Sequence, residues 1–294
     1  MKKTRAKKIF DMFNITILTL IGLICLFPFI NIFAISLSKA SYVEAGYVTL
    51  WPKGFTLGSY SFVVENVKFW TAFKVSLIRL AVGLPLNMVV MILTAYPLSK
   101  PTSDFHARTA FSWLFVFTMM FGGGLIPTYL VVMNLGLLNS IWALVLPNIL
   151  SVGNMILLMN FFRSIPREME EAARIDGAGV MRTLTSIVLP VAKPGLATVA
   201  LFRIVSHWNS WFDGMIYMKT SVKYPLQTYL RTLVVDFESL ITESMRGHGE
   251  LLAMMNARTG RAAQLFVATV PIILVYPFLA KYFASGLVMG SVKG

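Results

Sequence analysis

The sequence predicts an all-α protein that crosses a membrane six times. Hydrophobic residues make up 56% of the 294 residues and charged residues only 13%, with a mean hydropathy of +0.71. This composition is far from that of soluble globular domains. Several apolar stretches exceed the roughly 18 residues that a transmembrane helix needs. The short alternating segments typical of a membrane β-barrel are absent from the sequence, so helices are the expected spanning elements.

The six predicted spans lie at about residues 13–35, 71–98, 109–133, 141–162, 195–218 and 263–286. The first run is longer than the apolar core of a typical signal peptide, which favours an uncleaved first span. The basic residues that precede it are Lys2, Lys3, Arg5, Lys7 and Lys8. Because cytoplasmic borders carry an excess of lysine and arginine, the sequence predicts that both termini are cytoplasmic.

The charge and the cysteine count exclude several other classes of protein. The net charge of +13 does not indicate a nucleic-acid partner, because the basic residues are spread over the membrane borders. Cys25 is the only cysteine, which excludes a disulfide within the chain and a cysteine-based metal site. The histidines, His106, His207 and His248, are far apart in sequence. We therefore expect no metal ion and no cofactor in this chain.

A charged segment at about 163–193, between the fourth and fifth spans, carries the most informative pattern. Pro166 and Glu168 favour the start of a helix. Glu170–Arg174 and Arg167–Glu171 have the spacing of ion pairs along one helix. Such order is unusual in a connector between spans, so the segment is a candidate socket for a soluble partner.

Small residues follow, and they predict close packing and a sharp turn. One side of the helix carries Met169, Ala172, Ala173 and Asp176. Gly177 and Gly179 are expected to end the helix. A second short helix is predicted from an apolar stripe and should stop at Pro190; the stripe is Val180, Leu184, Ile187 and Val188. The alternative is an amphipathic hairpin that only lies on the membrane.

The pattern Glu-Ala-Ala, three residues, Gly, nine residues and Ile-x-Leu-Pro resembles the "EAA" loop of ABC importer permeases. The matching positions are Glu171, Ala172, Ala173, Gly177, Ile187, Leu189 and Pro190. Over most of its length the chain is similar to the carbohydrate-uptake, maltose-permease-like family, and within it to the subgroup for complex and acidic oligosaccharides. The segments that carry this similarity are Ala95-Tyr-Pro-Leu-Ser99, Gly122-Gly-Gly-Leu-Ile-Pro-Thr-Tyr129, Trp208-Asn-Ser-Trp-Phe212, Tyr224-Pro-Leu-Gln227 and Gly286-Leu-Val-Met-Gly290.

The resemblance implies a permease subunit of an ATP-driven sugar importer in a bacterial cytoplasmic membrane. Residues 1–70 would hold the N-terminal tail, the first span and the first outer loop, and residues 71–294 the permease core. Glu171 would pair with a basic residue of a cytoplasmic ATPase, Ala172 and Ala173 would allow close packing, and Gly177 would make the bend. Asp176, Ile187, Leu189 and Pro190 complete the implied coupling set.

The implied partners are a second, similar permease, two ATPase copies that bind ATP and Mg, and an extracytoplasmic solute-binding protein. The outer loop at about 219–262 would contact the binding protein. Part of this loop should be an amphipathic helix, on the spacing of Leu226, Leu230, Leu233, Val234 and Phe237, and residues 246–249 should form a turn. The sequence has no Gly-x-x-x-x-Gly-Lys-Ser/Thr phosphate loop, so the ATPase site is expected on a partner.

Two charged residues fall within the predicted fifth span. Arg203 lies deep, and it either lines the pathway or pairs with a residue of the partner permease. Asp213 either belongs to the pathway or sits near the outer interface. Lys74 and Arg79, early in the second span, are expected to extend outward to the interface.

Aromatic and glycine residues supply the remaining candidates for the substrate pathway. Trp208 and Trp211 are either belt residues at the interface or a stacking surface for sugar rings, with Asn209 as a hydrogen-bonding group. The glycines at 122–124 and Pro127 should interrupt the third span, at a cavity or at a flexible outer end. Tyr129 follows this interruption and is a further candidate.

Two functions of other classes compete with the importer subunit. An ion-coupled secondary transporter would need an ion site near the middle of the membrane, often an acidic one. Asp213 is the only acidic residue within a predicted span and lies near one edge. A receptor or scaffold with a docking loop would not need broken, polar spans.

Overall fold

The computed structural model describes residues 5–233 and 258–277, and these residues form helices joined by turns. The helices are α1 (Arg5–Ser36), α2 (Ala40–Glu44), α3 (Gly58–Glu65), α4 (Val67–Ser99), α5 (Arg108–Met120), α6 (Leu125–Asn134), α7 (Ile141–Val145), α8 (Val152–Arg163), α9 (Arg167–Ile175), α10 (Val180–Thr183), α11 (Leu189–Val191), α12 (Lys193–Asn209), α13 (Phe212–Tyr217), α14 (226–233) and α15 (Arg258–Pro277). The described residues contain no β-strand, only an isolated bridge between Ser38 and Phe55.

The all-α membrane fold with six spans is confirmed. In the described part of the chain, three helices are long and apolar enough to cross a membrane without a break: Lys7–Ser36, Val67–Ser99 and Arg258–Pro277. Among the described residues, three pairs of helices with a sharp bend between their members are also long and apolar enough when each pair is taken as one span. The pairs are Arg108–Met120 with Leu125–Asn134 (112°), Ile141–Asn148 with Val152–Arg163 (55°), and Val180–Val191 with Lys193–Asn209 (82°).

The predicted interruption of the third span is present. α5 ends at Met120 and α6 begins at Leu125, with the glycines between them. Gly124 has a φ of +86°, a conformation that favours glycine. Pro127 lies in the first turn of α6, where a missing N–H costs nothing.

The breaks in the fourth and fifth spans were not expected from their apolar runs. A 3₁₀ turn at Leu146–Asn148 contains Pro147 and separates α7 from α8. The predicted run at 195–218 is also divided, because Ser210 is extended (ψ 121°) and α13 begins only at Phe212. The sixth span is described as far as Pro277, and its predicted end lies outside the described residues.

The predicted helix in the outer loop is confirmed for residues 226–233. Leu226 and Leu230 are buried on it. Val234, Phe237 and the turn predicted at 246–249 lie outside the described residues.

The chain divides into two units, Met1–Trp70 with Thr232–Val270, and Thr71–Arg231 with Pro271–Gly294. The second unit contains the main core, in which α4, α8 and α12 meet the turns around α10. Its fully buried members are Met91, Ala95, Leu158, Val188 and Val199. Leu158 and Val199 bring α8 and α12 together, where both helices belong to broken spans.

We expect Gly195 to be essential for the packing of α12 on α8. A Cβ at this position would lie 2.4 Å from Cγ of Phe161, so Gly195→Ala should overpack the contact and destabilise the protein by roughly 1–3 kcal/mol. Thermal unfolding in detergent measures the effect. Gly153→Ala in α8 is the control, because a Cβ added there would meet nothing within 4 Å. Equal unfolding temperatures for both variants would contradict the packing argument.

Candidate functional site

The segment at 163–193 folds as predicted into a helix, a glycine turn and a second helix. Gly177 has a φ of +77°, and its N–H donates to the carbonyl of Arg174. The N–H of Ala178 donates to the carbonyl of Ala173, which completes a Schellman motif at the end of α9. Gly179 does not end α9 as expected. It has an extended backbone and begins α10, where its carbonyl accepts the N–H of Thr183.

The two ion pairs expected within α9 do not form among the described residues. Glu170 lies on the buried face of the helix and pairs instead with Lys100, just beyond the end of α4. It also accepts a hydrogen bond from the Tyr96 hydroxyl at 3.1 Å. Burial lowers the pKa of Lys100, and the neighbouring Glu170 opposes that shift. A buried carboxylate needs such partners, so the interior of the chain decides the pairing.

A second pair joins α9 to the loop after α4. Arg174 donates to Asp104 at 3.2 Å, and both side chains are partly exposed. The hydrogen bond from Arg174 lowers the pKa of Asp104. Exposed pairs contribute little to stability, so Glu170 is the principal anchor of α9.

The opposite face of α9 is open. Glu171, Ala172 and Asp176 are exposed, and Ile175 is 87% exposed. Ala173 is buried against its own chain, so only Ala172 of the two alanines can meet another protein surface. The expectation that both alanines pack against a partner is therefore wrong for Ala173. Successive residues of a helix are 100° apart, so neighbours lie on different faces.

The residues of the second half of the pattern lie around a π-helical turn at Leu184–Val188. Ile187 and Leu189 are half-buried, and Pro190 is exposed. Pro190 does not stop the helix as predicted. It lies in the first turn of α11, where proline is tolerated, and the chain bends at Ala192.

Charged residues of different spans come together in the second unit. Arg79 of α4 is buried and forms an ion pair with Asp213 of α13. It also donates to Nδ1 of His207 at 3.3 Å and to the carbonyl of Leu144 at 3.2 Å. The expectation that Arg79 extends outward is therefore wrong. Asp213 is not solvated at an interface either, because a buried arginine neutralises it.

Arg203 finds its partners within the chain. Its guanidinium donates to Oδ1 of Asn87 at 2.9 Å and to the carbonyl of Asn148 at 2.8 Å. Since Nδ1 of His207 accepts from Arg79, the imidazole proton lies on Nε2, which is 2.5 Å from Oδ1 of Asn87. We call Arg79, Asn87, Arg203, His207 and Asp213 the buried network.

The buried network satisfies backbone groups that the helix breaks release. Besides the bonds from Arg79 and Arg203, Nδ2 of Asn87 donates to the carbonyl of Ile149 at 2.7 Å. In the fifth span, Asp213 accepts the Ser210 hydroxyl at 2.8 Å and the Gly214 N–H at 2.9 Å. Broken helices are tolerated at membrane depth when their freed groups find such partners.

The other pathway candidates are not among the five residues of the buried network. Trp208 is 3% exposed and contacts Phe73 edge to face at 5.7 Å, so it is neither a belt residue nor an open stacking surface in this chain. Trp211 and Asn209 are exposed at the break before α13. Tyr129 is half-buried, and its ring lies 6.4 Å from that of Tyr217.

Sequence reasoning missed Asn87, His207 and Lys100 as site residues. A signal exists for His207, because Arg203 and His207 are four residues apart and share one face of α12. Lys100 and Glu170 are 70 residues apart, and no local spacing connects them.

Broken, apolar helices with internal polar partners and an anchored, half-exposed helix define a membrane transport permease. No family model matches the chain. It is 38% identical over 290 residues to the polygalacturonan/rhamnogalacturonan transport system permease YtcP of Bacillus subtilis. The alignment covers 98% of this chain and 99% of YtcP. It is also 38% identical over 296 residues to LplC of Bacillus subtilis, with coverage of 100% and 98%.

A solved structure agrees with these relatives. It belongs to a bacterial ABC transporter involved in the import of the acidic polysaccharide alginate, with 32% identity and a TM-score of 0.84 over 96% of this chain and 99% of that one. The chain belongs to the family of permease subunits of ABC sugar importers. It is an integral membrane protein.

We expect the Lys100–Glu170 pair to hold α9 in place. Lys100→Glu would set two carboxylates against each other and should destabilise the protein by roughly 3 kcal/mol, the scale of a broken buried pair. The exchange Lys100→Glu/Glu170→Lys should recover most of that loss in thermal unfolding. Asp104→Ala, which removes only the exposed pair, should change little. An exchange variant no more stable than Lys100→Glu would contradict the pairing.

Proposed function

We propose that this chain couples ATPase closure to alternating access of an oligosaccharide pathway. The observation that carries the proposal is the division of α9 into two faces. Glu170 and Ala173 fasten the helix to the chain, while Glu171 and Ala172 remain open. Because α9 is fixed to the chain on one side and exposed on the other, a partner that binds the exposed side and moves would displace the residues to which α9 is fixed.

The route of this movement runs along α4. Glu170 holds α9 to Lys100 at one end of α4, and α4 also carries Arg79 and Asn87 of the buried network. A displacement of α9 would therefore act on side chains that bridge the breaks in the fourth and fifth spans. Discontinuous helices of this kind are where transporters change their access.

The proposed assembly has two permeases, this chain and a similar one, with two copies of the ATPase below them. ATP and Mg would bind to the ATPase subunits, and both termini of this chain would be cytoplasmic. A binding protein would deliver the sugar to the outer side and contact the loop at 219–262. The family membership and the basic N-terminal tail support this arrangement.

Acidic oligosaccharides are the proposed substrate class. The names of two relatives refer to polygalacturonan and alginate transport. The buried network adds a physical argument, since among the described residues its two guanidinium groups face a single carboxylate, that of Asp213. The excess positive charge would favour an anion in transit.

An ion-coupled secondary transporter has less support. Its ion site would need a titratable acidic group within the spans. Asp213, which is the candidate for that role, is already paired with Arg79 and bonded to Ser210.

The coupling proposal predicts that Glu171→Ala uncouples the assembled importer. Loss of one partner of a buried interface pair should weaken association with the ATPase roughly 30-fold or more. Gly177→Leu should have a similar effect, because its φ of +77° disfavours a side chain. Substrate-stimulated ATPase activity of the complex measures both. Glu65→Ala, which removes an exposed carboxylate at the end of α3 and far from α9 in sequence, is the control. Full substrate stimulation of ATPase activity in the Glu171→Ala variant would contradict the coupling role.

The substrate proposal predicts that Arg203→Gln lowers uptake of an oligogalacturonide more than uptake of its neutral methyl ester. Arg203→Lys keeps the positive charge and should keep the preference for the acidic sugar. Transport of both sugars by the complete importer in proteoliposomes gives the ratio. Equal losses for both sugars, or dissociation of the complex, would mean that Arg203 only supports the helix break.

A further inference from the structure

Two arginines converge on one carbonyl at the end of α4. Nε of Arg108, the first residue of α5, donates to the carbonyl of Leu98 at 3.2 Å. Nη2 of Arg163, the last residue of α8, donates to the same oxygen, also at 3.2 Å. Neither arginine has an acidic partner among the described residues. The neighbouring basic residues Lys100 and Arg174, in contrast, are both paired with carboxylates.

The carbonyl end of α4 does not balance this charge. A helix C-terminus carries roughly −0.5 elementary charge, which offsets only about a quarter of two guanidinium charges. Each arginine also has donor groups that the shared carbonyl does not use. The pair is therefore suited to a further anion with several oxygen acceptors, such as a phosphate group.

Two cavities meet at Arg108. A polar cavity of about 650 Å³ is lined by five basic residues, Arg108 and Arg163 among them, and by three acidic ones, Asp104, Glu170 and Glu171, so its lining carries an excess of positive charge. A groove of about 260 Å³ runs from Arg108 along one face of α5, past Ser112, Trp113 and Val116. α5 has no buried residue, and Trp113 is 69% exposed. The site thus has a cationic end and an apolar end.

We propose that Arg108 and Arg163 bind the phosphate of an anionic phospholipid, with an acyl chain in the groove of α5. A spanning protein of this family is surrounded by lipid, so the apolar face of α5 meets acyl chains in the membrane. The charge of the arginine pair selects the anionic headgroup. Since Leu98 is the penultimate residue of α4 and lies two residues before Lys100, the lipid would stabilise the helix end that anchors α9.

The test uses the complete importer in mixed phosphatidylcholine and phosphatidylglycerol nanodiscs, with native mass spectrometry of the lipids that remain bound. Wild-type complex should retain phosphatidylglycerol in preference to phosphatidylcholine. Each of Arg108→Gln and Arg163→Gln should weaken that preference roughly five-fold, and the double variant roughly 30-fold. Arg108→Lys/Arg163→Lys keeps the charge, should retain most of the preference, and serves if the double glutamine variant fails to fold.

The control removes two positive charges elsewhere, with Lys7→Gln/Lys8→Gln in the N-terminal tail. It should leave the lipid preference of the site almost unchanged. An equal loss in this control would mean diffuse attraction and overturn the site. Displacement of the lipid by inorganic phosphate would assign the pair to a free anion instead. Loss of the ATPase from the arginine variants, with lipid retention unchanged, would assign the cavity to a protein partner and also overturn the proposal.

Discussion

The constraint on which the second unit depends is that backbone groups freed by helix breaks must find partners in apolar surroundings. The break in the fourth span exposes the carbonyls of Leu144, Asn148 and Ile149. Arginine and asparagine side chains from α4 and α12 donate to all three. Each such carbonyl left without a partner would cost several kcal/mol in lipid. The buried network therefore makes the discontinuous spans possible. It also connects the breaks in the fourth and fifth spans to one long helix, α4.

That helix, α4, links the two polar regions of the unit. Its 33 residues extend over about 50 Å. In its first half Arg79 meets Asp213, and just past its end Lys100 meets Glu170. These pairs join residues that are 134 and 70 positions apart in the chain. Because unpaired buried charges are costly, each pair restricts how far its helices can separate without a new partner. A continuous helix with one charged contact in its first half and another just past its end is suited to carry movement between the two contacts.

The surfaces left open have different characters. The exposed side of α9 carries the carboxylate of Glu171, the small residue Ala172 and the apolar side chain of Ile175. The arginines at the start of α5 and the end of α8 present positive charge beside an apolar helix. The first combination suits a folded protein partner with a basic group, and the second suits the anionic and apolar parts of a lipid.

The sequence by itself determined the fold class, the spans, the break at the glycines of the third span and the helix–turn–helix at 163–193. These features depend on apolar run length, glycine conformation and local spacing, all of which are readable within about twenty residues. Only the tertiary structure decided the partners of charged side chains. Glu170 pairs with Lys100 rather than Arg174, Arg79 turns inward to Asp213, and Ala173 faces its own chain. The breaks near Pro147 and Ser210 also required it. For the charged pairs and the helix breaks, the deciding energy is the desolvation of a buried polar group, and that energy depends on residues distant in sequence.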